Sequence, residues 1–127
     1  MTQISKAKAV NASKLAAQIA QFALDKKAEN VISLDVKDLT NITDEFVICS
    51  SDTNIQVKAI ADSIRKNTDH KPIRIEGYEH LNWVLLDYID VIVHIFRTEE
   101  RKNERRWDAY RWKKLDDFSF ESPKRPP

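Results

Sequence analysis

The sequence predicts an α/β fold, a single domain in which a mixed β-sheet of about five strands is flanked by helices. Three observations indicate this class. Short β-rich runs alternate with stretches of helical periodicity, an order typical of a sheet covered by helices. A chain of 127 residues is long enough to bury roughly 65 to 70% of the surface that its unfolded form exposes. Hydrophobic residues make up 42% and charged residues 32% of the chain, which is the balance of a globular protein rather than of a disordered one.

The first half of the chain carries two predicted helices and two predicted strands. Ser13 is the predicted N-cap of the first helix, because its hydroxyl can accept a hydrogen bond from an unpaired amide of the first turn. VISLDV (31–36) is short and β-rich, and FVICS (46–50) is a continuous apolar run of strand length. A second helix is expected to begin at Thr53 or Asn54.

The second half of the chain is predicted to contain a third strand, a hairpin and a last helix. IRIE, directly after Pro72, is the third strand, and Gly77, the only glycine of the chain, ends it. WVLLDY and DVIVHIF are separated by so little chain that only an antiparallel hairpin can join them. From Thr98 the charged run TEERKNERRWDAYRWKKL has a helix-forming composition.

We expect one domain, over residues 12–115. Residues 1–11 are predicted to be a flexible lead, and residues 116–127, which end in SPKRPP, a disordered tail. No run of 18 apolar residues is present to cross a membrane, and the N-terminus has no apolar core of a secretory signal. Cys49 is the single cysteine and cannot form an internal disulfide. A reducing compartment suits it, so a cytoplasmic protein is expected.

Strand alternation gives the predicted hairpin two faces. The predicted turn centre is Tyr88 and Ile89, a register that pairs Trp83 with His94. One face is aliphatic and is the natural core side: Val84, Leu86, Val91, Val93 and Ile95. The other face is mixed: Trp83, Leu85, Asp87, Asp90, Ile92 and His94. An apolar centre rimmed by charge is typical of a protein-docking patch, whereas the simpler interpretation is that the mixed face lies beneath a helix.

The net charge of +1 hides a local asymmetry. Residues 76–90 carry four acidic side chains and no lysine or arginine, so no counter-charge is expected there. Residues 97–114 carry eight basic side chains against four acidic ones. Because the acidic segment would repel phosphate, a partner docked there is expected to be a basic protein rather than a nucleic acid.

The motifs of the chain occur in a specific order over residues 12–98. TDEFVICS is followed by QVKAIA, then RIEG, then WVLLDY and VHIF. This set resembles the ribosomal silencing factor family, also called the Iojap family. The resemblance implies a nucleotidyltransferase-like topology without catalytic residues. It also implies a translation repressor that is not an enzyme and uses no cofactor or metal.

The resemblance further implies a partner and a mode of action. The family binds the large ribosomal subunit through large-subunit protein number fourteen at the intersubunit face. It thereby blocks joining of the small subunit when nutrients are limiting. We expect a monomer in the bound state and leave open a homodimer of the free protein.

The resemblance places the partner-binding surface on the hairpin and the turn before it. The residues carried over or lying beside them are Trp83, Leu85, Asp87, Tyr88, Glu76, Gly77 and Asp90. Trp83 and Leu85 are expected as apolar anchors and Tyr88 as a rim or second anchor. The carboxylates are expected to pair with lysine or arginine of the partner. The charge pattern singles out the same segment.

One alternative is a nucleotidyltransferase, which would hold Mg²⁺ with two carboxylates after a glycine-rich phosphate loop. Asp44, Asp87 and Asp90 are the available carboxylates, and Ser50 and Ser51 the available serines. The loop contains no glycine, and Asp87 and Asp90 flank a turn instead of forming a D-x-D pair on one strand. The sequence therefore disfavours this alternative.

A second alternative is an RNA-binding ribosome assembly factor that uses the C-terminal segment. Arg105, Arg106, Arg111 and Lys113 alternate there with Trp107, Tyr110 and Trp112. Cations interleaved with aromatic rings allow phosphate contacts together with base stacking. The competing interpretation is an amphipathic helix that packs its rings on the sheet. An incidental contact with ribosomal RNA would be compatible with the main interpretation.

Overall fold

The computed structural model describes residues 2–38, 41 and 43–102, with side chains described from residue 12 to residue 100 within those ranges. Helices and strands alternate there in the order predicted for an α/β fold. The elements are α1 (Thr2–Asp25), β1 (Glu29–Asp35), β2 (Glu45–Ser51), α2 (Asn54–Asn67), β3 (Arg74–Glu76), β4 (Trp83–Asp87), β5 (Val91–Arg97) and α3 (Thr98–Lys102).

The five strands form one mixed sheet in the order β1-β2-β5-β4-β3. β2 and β5 pair in parallel, and the other neighbouring pairs are antiparallel. The parallel pair lies at the centre of the sheet, which explains why both of its strands are almost continuously buried. The predicted mixed sheet of about five strands with flanking helices is confirmed.

The two long helices pack on one face of the sheet and form what we call the inner core. The aliphatic hairpin face predicted as the core side is part of it, since Val84, Leu86 and Val93 are fully buried beside Ile60 and Ile64 of α2. Burying a side chain of this size contributes about 1.5 to 3 kcal/mol before the entropy of ordering is subtracted. The helix side therefore accounts for most of the apolar burial of the described residues.

The opposite face of the sheet carries a second apolar group, which we call the outer cluster. Its buried members are Val36, Phe46, Ile48, Leu85, Ile92 and Phe96, with Leu34 and Trp83 at its border. The mixed hairpin face predicted from alternation therefore lies here. None of the described side chains of α1 or α2 belongs to this cluster.

The first helix begins earlier than predicted, at Thr2 instead of after Ser13. The stretch before Ser13 contains several alanines and lysines, which favour the helix strongly enough to continue it through the predicted cap. The predicted start of the second helix at Thr53 or Asn54 is confirmed, since α2 begins at Asn54. Thr53 is its cap, and the Thr53 hydroxyl accepts from the amide of Gln56 at 3.1 Å. The domain boundaries proposed from the sequence stay predictions.

The hairpin of β4 and β5 is confirmed, but the predicted register is wrong by two residues. Trp83 lies opposite Phe96, and Leu85 lies opposite His94. The turn is centred on Ile89 and Asp90, one residue later than predicted, and the amide of Tyr88 donates to the carbonyl of Val91 at 2.8 Å. A register error of two residues keeps each side chain on its face, which is why the two faces were predicted correctly.

Candidate protein-docking surface

Trp83 is held at the border of the outer cluster and is partly buried. Its ring lies 4.7 Å from the ring of Phe96 and 6.1 Å from that of His94, measured between centroids. Its Nε1 donates a hydrogen bond to Nδ1 of His94 at 3.2 Å. The indole is therefore fixed by packing and by the hydrogen bond to His94, and it is partly buried.

Leu85 and Tyr88, the two other predicted anchors, are buried. Leu85 is 5% exposed in the outer cluster, and Tyr88 is 3% exposed in the inner core. The Tyr88 hydroxyl lies 2.9 Å from Oγ1 of Thr68, and burial raises its pKa. Tyr88 has the strand parity of Leu86, so it points to the helix side, and its position differs from the predicted rim beside Trp83. Both side chains are therefore buried within the fold instead of being exposed on the predicted docking surface.

The predicted acidic rim has a counter-charge, contrary to the expectation from the sequence. Nη2 of Arg74 lies 3.5 Å from Oδ2 of Asp87, and its Nε lies 3.3 Å from Oε2 of Glu76. Arg74 stands opposite Asp87 in the β3–β4 pair, so all three side chains and Trp83 share one face. We call Arg74, Glu76, Trp83 and Asp87 the β3–β4 surface. It combines the indole ring of Trp83 with one cation and two anions.

The hairpin turn adds an apolar side chain that sequence reasoning missed. Ile89 is 52% exposed and has a φ of 76°, a conformation that a β-branched residue rarely adopts. Its amide donates to Oδ1 of Asp87 at 2.8 Å, and the amide of Asp90 donates to the carbonyl of Tyr88 at 2.9 Å. Backbone strain of this kind persists only where neighbouring bonds impose it. The one sequence signal for this exposed side chain is that an apolar residue occupies a turn position where glycine or asparagine is usual.

Asp90 lies away from the β3–β4 surface, although it was assigned to the mixed face. Together with Lys14, His70 and Tyr88 it lines a cleft of about 380 Å³ beside α1. Its carbonyl accepts from the amide of Asp44, directly before β2, at 3.0 Å and from that of Glu45, the first residue of β2, at 3.1 Å. Because Asp90 belongs to the turn and not to β5, strand alternation does not apply to it.

Gly77 is required by a close backbone approach. It has a φ of 94°, and a Cβ placed on it would lie 2.0 Å from the carbonyl oxygen of Trp83. Its own carbonyl accepts from the amide of Leu81 at 2.8 Å. Gly77 therefore shapes the connection that brings β3 beside β4 and positions Trp83.

A second group that sequence reasoning missed ties this connection to α2. The Tyr78 hydroxyl donates to Oδ1 of Asp62 at 2.8 Å, and the Arg65 guanidinium lies 5.0 Å from the centre of the Tyr78 ring. Burial, together with the bond to Asp62, raises the pKa of Tyr78 to about 12. Burial acts to raise the pKa of Asp62, but hydrogen bonds from Lys58 and Tyr78 outweigh it and lower that pKa.

The serines of the nucleotidyltransferase alternative, Ser50 and Ser51, are buried at the end of β2, with exposed fractions of 1 and 4%. Within the described ranges no three His, Cys, Asp or Glu side chains come together as metal ligands would. No helix of the described residues has both the length and the apolar character needed to cross a bilayer. The cations of the RNA-binding alternative lie outside the described residues: Arg105, Arg106, Arg111 and Lys113.

These features define a small α/β protein whose distinguishing surface is an aromatic ring among carboxylates at one edge of a mixed sheet. A family model described as "Ribosomal silencing factor during starvation" matches residues 9–125. The chain therefore belongs to the ribosomal silencing factor family, as the motif order had indicated. Membership supports a role in translation regulation by ribosome silencing.

Individual relatives agree with this assignment. "Ribosomal silencing factor RsfS" of Halalkalibacterium halodurans is 45% identical over 80 residues, which are 61% of this chain and 68% of that protein. "Protein Iojap, chloroplastic" of Arabidopsis thaliana is 28% identical over 113 residues, which are 87% of this chain and 48% of that protein. A crystal structure of a Chromobacterium violaceum protein matches with a TM-score of 0.66 at 29% identity, covering 90% of this chain and 88% of that one.

Proposed function

We propose that this protein silences ribosomes by binding the large ribosomal subunit at its intersubunit face and sterically blocking the small subunit. The docking partner is large-subunit protein number fourteen, and the conditions are those of nutrient limitation. The protein acts in the cytoplasm and is a monomer when bound. Blocking by occupancy requires no chemical step, so we assign the protein no catalytic activity, cofactor or metal.

The main support for this proposal is the position of Trp83, which is partly exposed at the border of the outer cluster. A large ring that is fixed before binding and partly exposed loses little conformational entropy when a partner covers it. Tryptophan is also among the residues most often found as the central anchor of an interface. Leu85 is buried beside it on the same face of β4 and belongs to the outer cluster against which the ring packs.

The charges around Trp83 favour a basic partner. Glu76 and Asp87 share the cation of Arg74, so the four residues of the β3–β4 surface carry a net negative charge. A lysine or arginine of the partner can replace or join Arg74 at these carboxylates. Such pairs contribute mainly to association rate and orientation rather than to affinity.

Cosedimentation with separated ribosomal subunits tests this function. We expect the protein to sediment with large subunits and not with small ones, and to reduce the formation of whole ribosomes when small subunits are added. Pull-down with the isolated large-subunit protein number fourteen tests the partner. Sedimentation with neither subunit, or unchanged subunit joining, would contradict the proposal.

A salt titration of the same binding distinguishes this function from RNA binding. Several phosphate contacts predict a steep loss of affinity with salt, because each contact releases counterions. A contact between a few carboxylates and a basic protein predicts a shallower loss, because only a few exposed charges are screened. A steep slope would favour the RNA-binding assembly factor.

A further inference from the structure

A basic cleft lies on the helix side of the sheet, where the last turns of α2 meet the loop that leads to β3. It is lined by Asp62, Arg65 and Lys66 of α2 and by Lys71 of the loop. The volume of the cleft is about 240 Å³. Sites for whole small molecules usually have roughly 300 to 1,000 Å³. The cleft therefore suits one charged group of a larger partner better than a complete small ligand.

The carboxylate of this cleft already has partners within the chain. Oδ2 of Asp62 lies 2.9 Å from Nζ of Lys58, and Oδ1 of Asp62 accepts from the Tyr78 hydroxyl at 2.8 Å. Lys58 and the three cations that line the cleft stand against this one carboxylate. Four positive charges and one negative charge give the group a net charge of +3, so an anion is the ligand that fits it.

Arg65 is oriented before any partner binds. Its guanidinium lies 5.0 Å from the centre of the Tyr78 ring, and its Nη1 lies 3.8 Å from Oδ1 of Asp62. A guanidinium is planar, and its fork of donors matches the oxygens of a phosphate. Lys66 and Lys71 are exposed, and among the described side chains neither forms an ion pair. An oriented guanidinium beside two exposed ammonium groups is typical of phosphate binding.

We propose that this cleft binds the phosphate backbone of ribosomal RNA when the protein is bound to the large subunit. The inference rests on the proposed function, because a large subunit presents RNA beside its proteins. Tyr78 ties the cleft to the connection that positions Trp83. The negative β3–β4 surface lies on the outer face of this sheet edge, and the positive cleft lies on the helix face. A basic protein at the first and RNA at the second complement both charges.

The cleft contributes only a few phosphate contacts. Its three cations can make about three, whereas a strongly salt-dependent nucleic-acid-binding protein makes roughly 6 to 10. The salt dependence of large-subunit binding therefore increases moderately and stays below that of an RNA-binding factor. Contacts to phosphate carry no sequence information, so their role is to fix the orientation of the protein on the subunit.

The full-length double variant Lys66→Gln, Lys71→Gln tests the proposal. Both side chains are exposed, so the fold is expected to survive. Cosedimentation with large subunits at several salt concentrations gives the slope of log affinity against log salt. We expect the slope to become shallower by about 1 to 2, since each phosphate contact contributes roughly 0.7 to 0.9. The double variant Lys14→Gln, Lys26→Gln removes the same charge from exposed positions that do not line the cleft, and its slope is expected to stay unchanged.

A photocrosslinking amino acid in place of Lys71 identifies the occupant. With the protein bound to large subunits, we expect crosslinks to RNA. Crosslinks to protein alone, or an unchanged slope of the Lys66 and Lys71 double variant, would overturn the cleft proposal. If the unaltered protein still sediments with large subunits in that case, the proposed function survives. Failure of the unaltered protein to sediment with large subunits would overturn both.

Discussion

Trp83 and His94 are joined by a hydrogen bond that runs diagonally across the β4–β5 pair. The indole Nε1 donates to Nδ1 of His94 at 3.2 Å, although Trp83 stands opposite Phe96 in the register. Because Nδ1 accepts, the proton of the neutral imidazole lies on Nε2. The bond fixes the direction of the indole at the edge of the sheet. A binding site built on Trp83 is therefore preorganised by a residue that a partner does not reach.

Replacing Trp83 by alanine is expected to weaken binding to large subunits by about 2 to 4 kcal/mol, the range for a central anchor. The fold is expected to survive, because the ring is only partly buried. Quantitative cosedimentation measures the loss. Ile55→Ala is the matched control, since Ile55 is 82% exposed at the start of α2. Equal binding by the Trp83 variant and the unaltered protein would show that the assigned surface is wrong.

A double-mutant cycle tests the hydrogen bond itself. Trp83→Phe removes the donor and His94→Phe removes the acceptor, and both keep a ring in place. We expect a coupling free energy of about 0.5 to 1.5 kcal/mol between the two substitutions, the net contribution of a typical hydrogen bond. Urea unfolding of the four proteins measures it. Additive effects would mean that packing alone orients the indole.

Sequence reasoning was sufficient for those features that depend on local pattern. Alternation identified the two faces of the hairpin, and the start of α2 at Thr53 or Asn54 was predicted correctly. The register was missed because the turn contains Ile89 at positive φ instead of a glycine or asparagine, which would mark its centre. Arg74 was missed because its pairing with Asp87 depends on which residues of β3 and β4 stand opposite each other. Pairings between strands follow from register, which the sequence encodes only through turns and burial.

Gly77→Ala is expected to destabilise the fold by about 2 to 5 kcal/mol. Part of this is the positive φ, which costs roughly 1 to 2 kcal/mol for a residue with a Cβ. The remainder is the overlap with the carbonyl oxygen of Trp83, only 2.0 Å from the new Cβ, since relieving an overpacked contact costs about 1 to 3 kcal/mol. Urea unfolding measures the change. Glu76→Ala, on the exposed neighbour, is the control and is expected to stay within about 0.5 kcal/mol.

Arg74→Gln is expected to speed the association with large subunits and to make it more dependent on salt. The substitution leaves Glu76 and Asp87 without their shared cation, so the β3–β4 surface becomes more negative. Stopped-flow binding at two ionic strengths measures both effects. Lys26→Gln makes the same charge change beside β1, at the opposite edge of the sheet, and is expected to have less effect. A slower association of the Arg74 variant would mean that Arg74 itself contacts the partner.

The stability of the protein is expected to fall with rising pH between about 10 and 12, in part through Tyr78. Its pKa is raised from 10.0 to about 12 in the folded state, so the folded protein holds this proton more tightly than the unfolded chain does. The stabilising effect is therefore complete below pH 10 and is lost as the pH rises through the folded pKa. Tyr78→Phe removes this contribution but keeps the ring beneath Arg65.

Urea unfolding from pH 9 to pH 12 is the measurement that checks the role of Tyr78. The pKa of Tyr88 is also raised by burial, but Tyr88 is present in both proteins, so the difference between them isolates Tyr78. We expect the unaltered protein to lose more free energy of unfolding over this range than Tyr78→Phe does. Parallel curves for the two proteins would contradict a protonated Tyr78 hydroxyl that binds Asp62 and ties the turn before Trp83 to α2.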